Sequence, residues 1–442
     1  MRLREWVPLL RGPLTRGRRN RQNERAQAHR NRINGARTMN LREKLERLTP
    51  PSNPSENRLP RATTDHQSRQ CEHFVTVFPH HHKHGSFTLN ALHGQFRAVA
   101  DMLLENPFED ALDFERIAFI DTETTGLSGG IGVCAFLVGV GYLSSDGFVV
   151  EQFLMNDFPA EADMLRTVCT KLEGFDVISS YNGRAFDIPI LDGRLLLNRM
   201  RTKLASKPHI DLLHPARRVW KHRLGDCSLK SLETHVLDLV RTDDIEGWMI
   251  PQAFFDYLQT GDKQSMEQIL LHNRHDLVSL AAVASFMFRA LDSPERAPLA
   301  HGAEWYGLAT LLEQHRRTNE ATHCMERALA MGLPTEIRSR CIRALSLTRK
   351  RQGRWKTAAK LWHETTAANN EMNTFFALEE LAKFYEHRQQ DLVSARAICQ
   401  RALNMLEVTE AISGPSPPAR HIENFEHRLR RIERKIRGKK NA

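Results

Sequence analysis

The sequence predicts an α/β domain, a mixed central sheet flanked by helices, followed by an all-α helical-repeat domain. Three observations carry this. Between residues 115 and 213, short apolar runs bounded by turn residues alternate with stretches of helical periodicity. Acidic residues stand at the ends of those elements. Past residue 300 strand patterns cease, and Ala321, Ala358 and Ala395 recur at a fixed interval of 37.

At 442 residues the chain exceeds one ordinary core, so several domains are expected. No apolar run is long enough to span a membrane, and seven cysteines stand singly without a Cys-x-x-Cys pair. Both point to a protein of the reducing cytoplasm, with neither a disulfide framework nor a cysteine zinc site. The formal charge is +10, but eleven Arg and two Glu crowd residues 1–38, and nine Lys or Arg with three Glu crowd residues 415–442. The body between is therefore net acidic, and basicity alone does not make it a polyanion binder.

In chain order, residues 1–70 read as a basic, disordered N-terminal region and linker, with Met39 as an alternative start followed by a short amphipathic helix. A histidine cluster follows (His73, His80, His81, His82, His84 and His93); its spacing fits no closed zinc pattern, so a phosphate-binding or packing segment is expected. Ile117 to Ile120 read as a buried strand running into Asp121 and Glu123. Side chains two apart on a strand leave on one face, so this pair is a candidate start of a Mg²⁺ or Mn²⁺ site. Strands are predicted over 133–142 and 148–154, joined by a Ser-Ser-Asp-Gly turn, then a helix over 160–173 and a strand over 177–180. Asp187 lies at the next strand-to-helix junction, and Pro189 suits the first turn of a helix reaching Met200. A strand over 209–213 and a helix over 228–239 follow. Between them, Arg217 and Trp220 have the makeup of a single-strand contact, cations for phosphates and a ring for a base, or of a solvated helix with a buried Trp. Residues 264–288 form the clearest helix, with Met266, Ile269, Leu270, Leu277, Leu280, Ala281 and Ala284 on its buried stripe and His272 and Asp276 on another.

Asp121-Thr-Glu123-Thr-Thr-Gly, Asn182-x4-Asp187 and His272-x3-Asp276, in that order, resemble the three motifs of the DEDD 3′-5′ exonucleases, which share the ribonuclease H-like fold. His81-His-Lys-His-Gly85, Ser180-Tyr-Asn-Gly-Arg-Ala-Phe-Asp187 and His272-Asn-Arg-His-Asp276 look like the bacterial YprB-like group within it. The resemblance covers roughly residues 75–290. It implies a nucleic-acid phosphodiesterase in which Asp121, Glu123, Asp187 and Asp276 hold two divalent ions. His272 would act as base; Thr122, Thr125 and Leu127 would lie beside the terminal nucleotide, and Asn182 would shape the loop of the second motif. The third motif departs from the usual Tyr-x3-Asp and His-x4-Asp, placing its His about 100° around the helix from the latter's. A scaffold that binds nucleic acid without turnover and a structure-selective endonuclease are the alternatives on the same fold; DNA and RNA are both open as substrates.

Trp305-x2-Leu308-Ala309-x2-Leu312, then Ala321 and Ala328, follow tetratricopeptide spacing, and three degenerate helical hairpins are expected over 300–410, a platform for a protein partner. A ribonuclease H-like domain over 71–292 would precede them. Over 419–440, Ile422, Phe425, Leu429, Ile432 and Ile436 mark a packing seam on a basic helix that caps the repeats or joins a partner.

Overall fold

The structure, a computed structural model, describes residues 70–104, 111–126, 132–201, 203–261, 263–367, 371–413 and 419–440. The basic N-terminal region and Leu127 lie outside them.

A six-stranded sheet organises the first half. Its strands are β1 (Glu72–Phe78), β6 (Ile117–Thr124), β7 (Ala135–Ser144), β8 (Gly147–Leu154), β9 (Val177–Ser180) and β10 (His209–Asp211), in the spatial order β1-β8-β7-β6-β9-β10. Two-residue strands β2 (Lys83–His84) with β3 (Phe87–Thr88), and β4 (Gln95–Phe96) with β5 (Leu112–Asp113), form minor ribbons. Pairing is antiparallel from β1 through β6 and parallel from β6 through β10. The first acidic motif thus lies on the strand where the sheet changes sense.

The strand limits predicted for β7, β8 and β9 fall within two residues of those observed. Ile117 and Phe119 enter one apolar core while Ala118 and Ile120 enter the other, so β6 is covered on both faces, which explains its unbroken apolar run. On one face lies α7 (Lys263–Asp292), where every residue of the predicted stripe is buried. The opposite face is packed by α2 (Glu161–Glu173) and α3 (Asp187–Leu197). Strand β1, where the sequence suggested only a histidine cluster, pairs with β8 as an edge strand; its residues Val75 and Val77 remain exposed. The histidines divide accordingly: His73 meets Glu151 on β8, and His84 is buried against α7.

Helices α1 (Arg97–Leu103), α4 (Leu213–Leu224), α5 (Leu229–His235) and α6 (Ile250–Thr260) complete this half. Seven α-helices lie among the described residues beyond 300: α8 (Gly302–Gln314), α9 (Thr318–Met331), α10 (Thr335–Arg351), α11 (Trp355–Ala367), α12 (Glu371–Phe384), α13 (Leu392–Ser413) and α14 (Ala419–Lys440). They run as consecutive pairs; Ala321, Ala358 and Ala395 each sit on the second member of a pair and are fully buried, where a larger side chain would hold the helices apart. Phe425 and Ile432 are buried against α13, so α14 uses its seam to close the array. One apolar core continues from Phe87 through α7 into α8, α9 and α10, ending at Leu345.

Candidate active site

β6 outruns its parallel neighbour: pairing to β9 ends at Phe119, while pairing to β7 continues to Thr124. Asp121 and Glu123 therefore project beyond the end of β9, at the crevice where α/β sheets carry their sites. Asp187 opens α3 in that crevice, a position where the helix N-terminus favours an anion. The fourth acidic residue, Asp276, arrives on α7. Gly139 on β7 permits this approach, since a Cβ there would fall 2.3 Å from Asn273 Oδ1 and 2.6 Å from Leu277 Cδ1.

The carboxylates crowd one another. Burial first, then Asp276, Glu123 and Asp187, push Asp121 well above the usual carboxylate range. Burial also lifts Glu123 to about 8, with His272 opposing and Asp276 and Asp187 adding to the rise. Asp187 is raised by burial to about 6 despite the hydroxyl of Thr122, which donates to its Oδ1 at 2.5 Å. Three of the four carboxylates, Asp121, Asp187 and Asp276, are engaged by neighbouring donors. Asn273 Nδ2 donates to Asp121 Oδ2 at 2.8 Å, and its Oδ1 accepts from Gln152 at 2.9 Å, which fixes the amide's direction. Asp276 Oδ1 accepts from Arg241, whose guanidinium also meets Glu233 and lies 3.3 Å from Asp244 Oδ2. Among the described residues no group of three or more His, Cys, Asp or Glu closes as a ligand set.

His272 stands beside this cluster. Its Nδ1 lies 2.8 Å from Asp244 Oδ1, and its Nε2 lies 3.7 Å from Asp276 Oδ2. Burial acts to lower its pKa, but Asp276, Glu123 and Asp244 outweigh burial and hold it above the usual value. Asp244 is itself kept below the usual range, burial being outweighed by His272 and Arg241. An ionised carboxylate only accepts, so Nδ1 carries the hydrogen of that bond.

The other predicted residues separate. Thr122 is brought to Asp187. Thr125 ties off the end of β6, its hydroxyl accepting from the N–H of Cys134. Asn182 adopts φ 67°, a left-handed conformation Asn tolerates, and its N–H donates to Asp211 Oδ1 at 2.8 Å, shaping the loop that precedes Asp187. Arg217 is exposed on α4. Trp220 is a correction: at 1% exposure it belongs to the core under α4 and has no face left for a base. Its neighbours Val219 and Ala216 are buried too, so it falls on the apolar side of an amphipathic helix.

Sequence reasoning missed Arg241, Asp244, Glu233 and Asn273. Asn273 had a signal: it occupies the buried stripe between Ile269 or Leu270 and Leu277, where an unexplained polar residue calls for a partner. Arg241 and Asp244 lie in an aperiodic stretch between α5 and α6 and had none. Behind them, Glu233 accepts from Ser279, whose Oγ also lies 2.6 Å from Nε2 of buried His84; the polar network thus reaches from the histidine segment to Asp276.

Residues 118–288 match the RNase_H superfamily. Over 329 residues the chain is 30% identical to the "Uncharacterized protein YprB" of Bacillus subtilis (strain 168), covering 74% of this chain and 79% of that one. A partial likeness extends to the family B DNA polymerase from the hyperthermophilic archaeon Pyrobaculum calidifontis, at 15% identity and a TM-score of 0.32. It covers 45% of this chain and 29% of the polymerase, so the chain spans less than a third of that protein. The chain belongs to the YprB family and carries a ribonuclease H-like domain.

Proposed function

We propose that this protein is a divalent-metal-dependent 3′-5′ exonuclease acting on nucleic acid. The observation that carries the reading is the meeting of Asp121, Glu123, Asp187 and Asp276 at the free end of the central strand, close enough that Asp276 and Asp187 add to the raised proton affinity of Asp121 and Glu123. Such a set outnumbers the cationic groups beside it, Arg241 and His272, and its all-oxygen donors suit hard cations. These four residues would hold two Mg²⁺ or Mn²⁺ ions, which when bound supply polarisation of the scissile phosphate and acidification of water.

The chain's own residues supply orientation and proton handling. Asn273, braced by Gln152, fixes Asp121; Thr122 fixes Asp187. Asp244 holds the Nδ1–H of His272, leaving Nε2 as the acceptor for a proton from water on the side of Asp276. Thr125 and Leu127 would border the terminal nucleotide. The helical pairs, read as tetratricopeptide-like, would dock a protein partner; the buried alanines at the 37-residue interval, Ala321, Ala358 and Ala395, support this. Seven free cysteines support action in the cytoplasm.

One observation favours a binding protein without turnover instead: Arg241 occupies Asp276, and a guanidinium can satisfy a carboxylate that no longer serves an ion. The deciding experiment follows nucleotide release from 3′- and 5′-labelled single-stranded DNA and RNA with Mn²⁺ or Mg²⁺, for wild type and Asp121→Ala. Metal-dependent mononucleotide release from the 3′ end, lost in the variant, is the expected result. Cleavage of substrates with both ends blocked would establish an endonuclease; absence of cleavage on every substrate would establish the binding protein.

A further inference from the structure

Helix α4 divides sharply. Leu213, Ala216, Val219 and Trp220 are buried, whereas His214, Arg217, Arg218, Lys221 and His222 are exposed, at steps of three and four that put them on one face. That face does not open to bulk solvent alone. Helix α8 crosses α4 so closely that a Cβ on Gly307 would lie 2.4 Å from the carbonyl oxygens of Arg218 and Val219. Arg223 on α4 meets buried Glu304 on α8 at 2.5 Å, pinning the crossing. The result is a cleft of about 810 Å³ with α4 as one wall, Tyr306 and Gln314 of α8 and Arg340 of α10 as the other, and Arg184 and Asp211 at one end.

Its charge is one-sided. Arg184, Arg217, Arg218, Lys221 and Arg340 line it with a single carboxylate, Asp211, while Arg340 also meets exposed Glu336 at 2.5 Å. Asp211 is already committed, accepting the backbone N–H groups of Asn182, Arg184 and Leu213. Among the described residues Arg217, Arg218 and Lys221 have no carboxylate partner. The body as a whole is net acidic, so this concentration of cations is local rather than a share of the high pI.

The cleft also adjoins the acidic site. Arg184 lies three residues before Asp187 on the loop after β9, and in that loop a Cβ on Gly183 would fall 2.8 Å from Asp187 Oδ2. We infer that this cleft is a second nucleic-acid site, which grips the phosphate backbone of a single strand while its end lies at Asp121 and Asp187. The inference rests on the nuclease reading and adds the substrate class: single strands extending several nucleotides from the end. A volume of this size suits a few nucleotides and not a duplex. Tyr306 in the wall is only 7% exposed and offers a base little face, so the cations dominate and read phosphate, which makes binding indifferent to sequence and strongly dependent on salt. The helical array would thus serve the substrate as well as a protein.

The test measures binding of a fluorescent twelve-nucleotide oligo-dT and of oligo-U to the full chain in EDTA, with no catalysis required, across a salt series. Wild type is compared with Arg218→Glu/Lys221→Glu and, from the other wall, with exposed Arg340→Glu. Expected is at least a tenfold loss of affinity at low salt for the double variant and a smaller loss for Arg340→Glu. The slope of log K against log salt should fall by about 0.7 for each phosphate that is no longer neutralised. Should the double variant misfold, as thermal unfolding would reveal, Arg340→Glu and Lys221→Gln carry the same test. Unchanged affinity and slope overturn the inference. So does an acidic peptide that binds with the same dependence on Arg218 and Lys221, since the cleft would then be a protein site. A protein that cleaves strands normally after both reversals loses the cleft and keeps the nuclease reading; one that binds through the cleft but cleaves nothing loses the nuclease reading alone.

Discussion

Two buried acidic centres in this chain are built in opposite senses. At the end of β6, Asp121, Glu123 and Asp187 face one another and Asp276, and burial raises the proton affinity of the first three. In the helical array, Glu386 is also buried but is the one carboxylate among Arg428, Arg431 and Lys435, at 3.0, 2.6 and 2.8 Å. Burial acts to raise its pKa, yet those cations, Arg431 foremost, bring it down to about 2. The second centre is complete and serves to hold α14 against the end of α12. The first sets four carboxylates against Arg241, shared with Glu233 and Asp244, and His272, an imbalance that folding alone would not select.

The comparison breaks first at Asp121. Asp121→Asn keeps shape but removes a charge, and nucleotide release should fall by about a thousandfold or more while the fold is retained, as measured by labelled-strand hydrolysis beside circular dichroism. Asn273→Ala leaves every carboxylate in place but frees Asp121 to turn; affinity for Mn²⁺ by calorimetry should drop about 10- to 100-fold. Metal should also separate the centres. At a hundred times its dissociation constant, Mn²⁺ should stabilise wild type by about 2.7 kcal/mol in thermal unfolding and Asp121→Asn by much less.

Glu386→Gln supplies the smaller, opposite effect. Removing this charge should cost roughly 1–3 kcal/mol in urea unfolding at neutral pH, with no change in nucleotide release. Its pH dependence has a definite sign. The folded pKa lies below the usual 4.5, so the charge stabilises above about 4.5, and that gain fades as pH falls from 4.5 towards 2. Wild type and Glu386→Gln should therefore converge in stability under acid; a gap that persisted or widened there would show that the three cations do not hold Glu386 by its charge.

How much was readable follows from the same physics. β6 and α7 are plain in the sequence because burial on two faces or one stripe writes itself as a run or a period. The first three acidic residues were legible because element ends carry few other constraints. β1 was not: as an edge strand with His73, Val75 and Val77 facing outward, its alternation is blurred by exposed apolar side chains. Arg241 and Asp244 were hidden because their partners lie 35 and 28 residues away in sequence, on a helix whose interior face gives no hint of them. Trp220 and Arg217 sit three apart yet have opposite fates, decided by α8, which the local sequence does not announce.

The core that runs unbroken from Phe87 to Leu345 bears on how the molecule could be cut. A protease or a gene truncation ending the chain after Asp292 would strip α8 from Val219 and Ala216 and remove Leu308 and Leu312 from the core they share. The fragment would be sticky and short-lived, because it would carry half of a shared interior. Beyond α10, by contrast, the interior divides into separate clusters around Trp362 and Phe425. Shortening the array from its far end should leave the rest standing, and variation in helix number between related chains should be found there.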